Sequence, residues 1–207
     1  MRNITLLLLL LITTSLFAQR KTEEIASQHL NASREITIVT PDSYERNKNK
    51  QYPLLVLLDG EYLLGPFAGT LSYTEYWNDL PEVIIVAISQ NKQNERATDC
   101  RIDKETGLPD EFGERFFDFI STELVPYIEK KYRIAPFKII AGHDLTAGFI
   151  NFFLYKEKPL FNAYIAFSPE LPKDMELHIP ERLTALQTPV HYYLATADGD
   201  VMRLQKK

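Results

Sequence analysis

Six short stretches of the chain are rich in Val, Ile, Leu or aromatic residues and are bounded by turn-forming residues: 35–39, 54–58, 83–88, 138–141, 163–167 and 190–195. Most are apolar without alternation. Continuous apolar runs suit strands covered on both faces, so the pattern predicts a mainly parallel sheet between helical layers. Between the strands, Phe112, Phe116, Phe117, Ile120, Leu124, Tyr127 and Ile128 recur at spacings of three and four, which predicts an amphipathic helix facing the sheet, bent at Pro126. A second helix is predicted just after Asp144. It carries Phe149, Ile150, Phe152, Phe153 and Leu154 and is apolar almost all round, as a buried central helix must be. A third, shorter one fits 181–187, and 46–51 (RNKNKQ) reads as a solvated loop tip. Helices alternating with strands predict a doubly wound α/β fold.

The first residues break this pattern. Arg2 is followed by the apolar run Leu6 to Ile12 and by Ser15-Leu16-Phe17-Ala18. The run is well short of the ~20 residues that a membrane span requires, and Ala18 is the small residue a signal peptidase accepts. The expectation is a signal peptide over 1–18, an exported protein, and a single domain over 19–207. With 45% apolar and 12% aromatic residues, a sizeable core can be buried. The formal net charge of −5 without a basic stripe argues against nucleic acid or an anionic membrane surface as a partner. The single Cys100 precludes an intrachain disulfide and reads as a packed thiol. No HExxH or CxxC spacing and no GxGxxG or GxxxxGK cradle is present, so no metal and no cofactor are expected.

Residues 139–148 read Ile-Ile-Ala-Gly-His-Asp-Leu-Thr-Ala-Gly, a strand-to-helix turn with Asp144 at the apex, where a GxSxG nucleophile elbow carries serine. Other landmarks come in order around it. Tyr52-Pro53-Leu54-Leu55-Val56-Leu57-Leu58-Asp59-Gly60, Leu80-Pro81 before a strand and Arg96-Ala97-Thr98-Asp99 precede it, as does the run from Phe119 to Ile128 that leads to Tyr132-Arg133. Phe161-Asn162-Ala163-Tyr164, leading to Phe167-Ser168-Pro169, follows it. In this order and spacing the chain resembles the esterase family of α/β-hydrolases that includes enterochelin esterases, S-formylglutathione hydrolases, feruloyl esterases and bacterial mycolyltransferases. The resemblance runs from about Arg34 to Met202 and implies an α/β-hydrolase-like sandwich, a mainly parallel sheet with helices on both faces.

The resemblance implies the following roles. The elbow serine falls on Asp144 and the last elbow glycine on Thr146, so the turn has to accept a branched side chain. Backbone amides of Glu61 and Leu145 would form the oxyanion hole, although beside a fixed carboxylate they would hold its charge instead. The triad acid falls on Asp200, with Asp198 as the fallback; an Asp-Gly-Asp sequence after a strand is also a tight turn in its own right. The triad histidine is expected beyond the acid, and none follows Asp200 up to Lys207, so the fold is expected to be C-terminally truncated, with an edge open to self-association. Among His29, His143, His178 and His191, His143 is expected to pack beneath the turn. Tyr62, Tyr76 and Trp77 are candidates for a substrate pocket, the last two with Tyr73 in a loop, where satellite core is the competing reading.

Three readings stay open: a non-catalytic member that binds a small-molecule ester or other ligand in the old cleft; an active carboxylic-ester hydrolase; and a hydrolase with Asp144 as nucleophile, as in the haloalkane dehalogenases and epoxide hydrolases, whose elbow also reads Gly-His-Asp.

Overall fold

The computed structural model describes residues 19–199 apart from 91, 104 and 173. The segment expected to be a signal peptide, and Asp200, lie outside these described residues. Seven strands form one sheet in the order β1-β2-β4-β3-β5-β6-β7. They are β1 (Gln19–Ser27), β2 (Ala32–Thr40), β3 (Tyr52–Leu57), β4 (Ile84–Ile88), β5 (Ile134–His143), β6 (Ala163–Phe167) and β7 (His191–Ala195). From β4 through β3, β5 and β6 to β7 every pairing is parallel, while β1–β2 and β2–β4 are antiparallel. The six expected strands are all present. The seventh, β1, reads Gln-Arg-Lys-Thr-Glu-Glu-Ile-Ala-Ser. It is an edge strand with only Ile25 and Ser27 buried, so it lacks the apolar run that marks the others, and its charges blunt the edge against pairing with other chains.

Helices lie on both faces. On one face, α3 (Glu111–Asp118), a π-helical stretch (Phe119–Leu124) and α4 (Val125–Lys131) make one continuous rod. Its start is fixed by Asp110, whose carboxylate accepts the amides of Phe112 at 2.9 Å and Gly113 at 3.2 Å. The expected disturbance at Pro126 takes the form of a widened turn before it, with the Val125 amide donating to the Ile120 carbonyl. Beside this rod, α5 (Leu145–Phe149) tightens into a 3-10 turn (Ile150–Tyr155), and Phe149, Ile150, Phe153 and Leu154 are fully buried, as a central helix requires. The last helix, α6, runs over Met175–Ala185 with Pro180 inside it, earlier than its sequence pattern suggested.

The other face is covered by α1 (Gly60–Tyr76), which packs Leu64, Phe67, Ala68 and Leu71 over Leu55, Leu57, Val83, Ile85 and Ala87. This helix is a correction to the sequence reading, which placed Tyr73 and Tyr76 in a loop with Trp77; only Trp77 lies beyond the helix end. Gly65, Pro66 and Gly69 inside it and a weakly one-sided apolar pattern hide it from propensity. Beyond α1, strands β5 to β7 carry no helix on this face among the described residues. Phe137 is 38% and Tyr193 58% exposed, and the Phe167 ring touches those of Phe67 and Tyr193. Among the described residues no helix is long and apolar enough to cross a membrane.

Candidate active site

β5 ends at His143, and the chain turns into α5 through Asp144, held at φ 58° and ψ −115°. A non-glycine residue rarely adopts such a conformation, and it persists only where surrounding bonds impose it. Here the Asp144 amide donates to the Phe167 carbonyl at 2.9 Å, and its carbonyl accepts the amides of Gly148 at 3.0 Å and Glu170 at 2.9 Å. The turn is also closely packed. A Cβ on Gly142 would lie 2.7 Å from Thr146 Oγ1 and 2.8 Å from its carbonyl carbon, and one on Gly148 would lie 1.9 Å from the Glu170 carbonyl oxygen. Asp144 is thus the apex of a sharp strand-to-helix elbow with 21% of its side chain exposed.

Thr146, fully buried where the motif has glycine, is accommodated because its hydroxyl joins the turn. Oγ1 accepts the His143 amide at 2.9 Å and donates to Asp59 Oδ2 at 2.6 Å. Asp59 follows β3 at a left-handed φ of 54°, caps the start of α1 and is itself fully buried. Its charge is met by Arg96, from the short helix α2 (Arg96–Asp99), with Nε at 2.6 Å from Oδ1. The same guanidinium donates to the His143 carbonyl at 2.8 Å and lies 3.6 Å from Asp144 Oδ2. Burial alone would lower the Arg96 pKa, but the bond to Asp59 outweighs it and holds the group above its usual value. One cation therefore bridges the two carboxylates that precede α1 and α5.

The two residues expected to supply oxyanion amides open these helices: Glu61 is the second residue of α1 and Leu145 the first of α5. Helix-opening amides lack acceptors within their own helix. The Glu61 side chain has a separate task, accepting the Gln90 amide at 2.9 Å and the Ser89 hydroxyl, which ties α1 to the end of β4. Tyr62 is beside the elbow, its hydroxyl 3.3 Å from His143 Nδ1. Burial first and then the nearby Asp59 carboxylate push that phenol well above its usual pKa. His143 stands half-buried against Tyr62, its ring edge-on to the tyrosine.

Other candidates lie apart. Tyr76 ends the 17-residue α1 and Trp77 caps it, at the far end from the elbow across roughly 25 Å of helix, and neither is among the lining residues of the cleft beside the apex. His29 sits in the β1–β2 turn against Thr122, His178 lies on α6, and His191 begins β7. Because Ala163 pairs with His191 while His143 pairs with Phe167, His191 is at the opposite end of the sheet. Asp198 follows β7 at the elbow end, where Ala195 pairs with Phe167. A cleft of about 370 Å³ opens beside the apex, with Ala97, Cys100, Ile102, Leu145, Leu171 and Pro172 among its walls. Cys100 is buried in its floor, and burial pushes its thiol well above the usual range, as a packed thiol requires. No cluster of three metal-binding side chains is found among the described residues.

Asp59, Arg96 and Gln90 were missed as site residues in the sequence. The only signals were an Asp-Gly pair directly after an apolar strand and the Arg96–Asp99 segment, both visible as landmarks without a role.

A family model described as "Putative esterase" matches residues 27–192. Among solved structures, an uncharacterised protein from Capnocytophaga ochracea DSM 7271 is 32% identical over 87% of this chain, with a TM-score of 0.80. The chain spans about half (49%) of that protein. The BES protein from Bacillus cereus (20% identity, 94% of this chain and 80% of that one, TM-score 0.71) shares the fold. So does the siderophore hydrolase EstA from Aspergillus nidulans (18% identity, 90% and 76%, TM-score 0.68). No curated protein matches significantly. With the elbow, the sheet order and a family match over most of its length, the chain belongs to the Putative esterase family of α/β-hydrolases.

Proposed function

We propose that this protein is an exported member of the family that uses the cleft beside the elbow to bind a ligand and does not hydrolyse esters by the serine route. The observation that carries the reading is the apex itself: Asp144 brings a carboxylate where an alcohol is needed, and that carboxylate lies 3.6 Å from Arg96. The serine route passes through an acyl-ester on the nucleophile, whereas a carboxylate attacking an ester carbonyl and expelling the alkoxide would give an anhydride, which is more activated than the ester it came from. The neighbouring guanidinium forms an ion pair with that same side chain. Partly apolar cleft walls favour a ligand with a compact apolar group, a small ester among them. Export rests on the apolar first segment, and self-association across the outer edge of β7 belongs to the same reading.

A second reading, an active carboxylic-ester hydrolase, is favoured by the family and by the siderophore-hydrolase and ferulic acid esterase descriptions of its structural neighbours. The two separate in an assay of p-nitrophenyl acetate and butyrate with the parent, Asp144→Ser and Asp144→Ala. The binding reading expects parent and Asp144→Ala at the buffer rate and new turnover only in Asp144→Ser. Parent turnover that disappears in Asp144→Ala would overturn it. Halide or epoxide turnover lost in Asp144→Ala would instead make Asp144 a nucleophile toward saturated carbon.

A further inference from the structure

Behind the elbow a line of buried polar side chains runs from β2 to the apex. Arg34, 5% exposed, donates from Nη2 to Asp99 Oδ1 at 2.8 Å. Asp99, 4% exposed, accepts from Gln90 Nε2 on its other oxygen at 3.1 Å. Gln90, fully buried, accepts the Asp59 amide on Oε1 at 3.1 Å, and Asp59 holds Arg96 and Thr146 as described. Arg96 and Asp99 are the first and last residues of the four-residue α2, so the helix is fastened at both ends by this line. Too short to be stable on its own, such a helix takes its position from its side-chain anchors.

We propose that Asp99 is a positioning residue for the elbow: by fastening α2 to Arg34 and Gln90 it holds Arg96 in place between Asp59, the His143 carbonyl and Asp144. Ala97 and Cys100, between and beside these anchors, form part of the cleft wall, so the same fastening shapes the cleft. The inference stands whether the cleft binds or hydrolyses its ligand.

The bonds have a fixed direction, and this makes the proposal testable. The Asp59 amide can only donate, so Gln90 must turn its oxygen to Asp59 and its NH2 to Asp99, and position 99 must accept from both Gln90 and Arg34. Asp99→Asn sets a donor against a donor at one of the two contacts. The double variant Gln90→Glu with Asp99→Asn reverses the single bond between positions 90 and 99 and restores a donor for each acceptor along the line at unchanged total charge, with Arg34 then donating to a neutral amide oxygen. The readout is hydrogen exchange of the Arg96 Nε–H, followed by ¹⁵N NMR, since this proton is donated to buried Asp59 and neither residue is altered. Exchange at least tenfold faster in Asp99→Asn, returning to within about threefold of the parent in the double variant, is expected. Ile36→Val, a core change outside the line, serves as the control for general loosening. An Arg96 signal in Asp99→Asn that exchanges like the parent, or like the control at equal loss of stability, overturns the proposal, as does failure of the double variant to restore it. Should Asp99→Asn not fold, Arg34→Lys is read in the same way: exchange at least threefold faster supports the proposal and unchanged exchange overturns it.

Discussion

At the residue scale, the elbow depends on Thr146 as much as on its glycines. Its hydroxyl is buried and makes bonds to two other segments, to the His143 amide and to Asp59. Thr146→Val keeps the shape and removes both bonds, leaving a buried carboxylate one donor short, so stability should fall by about 1–3 kcal/mol. Urea unfolding with an unchanged m-value checks this, and a loss below about 0.5 kcal/mol would show that the hydroxyl is dispensable. The apex was legible in the sequence because its residues are contiguous. Its supports were not, because Asp59 lies 37 positions from Arg96 and 87 from Thr146, and nothing local distinguishes a buried Asp or Arg from a solvated one before the fold brings them together.

At the scale of elements, the strands were legible where both faces are buried. β3 and β4 are almost wholly inaccessible, and burial on two sides leaves its mark as an unbroken apolar run. β1 and α1 left no such mark, since each is held by long-range contacts instead of by its own pattern. For β1 the contact is Glu23, bonded to Lys131 at 2.8 Å, to Lys21 at 2.9 Å and to the Tyr127 hydroxyl. Burial pushes the Glu23 carboxyl up, but the bonds from Lys131, Lys21 and Tyr127 outweigh it and bring the pKa from 4.5 to about 2. A depressed folded pKa contributes stability that is complete above 4.5 and is lost as pH falls toward about 2. Glu23→Gln should therefore flatten the loss of stability between these limits, as measured by thermal melts across that range. A parent and variant with parallel acid limbs would remove Glu23 as the anchor of β1.

At the scale of the whole molecule, the two outer strands of the sheet among the described residues, β1 and β7, differ in character. β1 carries charge along its strand, whereas β7 has Tyr193 58% and Leu194 53% exposed. The self-association proposed above predicts assembly that rises with concentration and diminishes in Tyr193→Lys with Leu194→Lys. Sedimentation velocity over a hundredfold range measures it, and a parent that stays monomeric throughout removes the claim. The elbow has the opposite character: its pose is set by the Phe167 carbonyl, the amides of Gly148 and Glu170, and the Asp59, Arg96 and Thr146 side chains. Most of those restraints grip the backbone at 144 and leave what it carries unspecified. The protein is in this sense a mounting post for interchangeable tips, and a thiol installed by Asp144→Cys would arrive on a fixed backbone, next to the positive charge of Arg96 that favours its reactive anionic form.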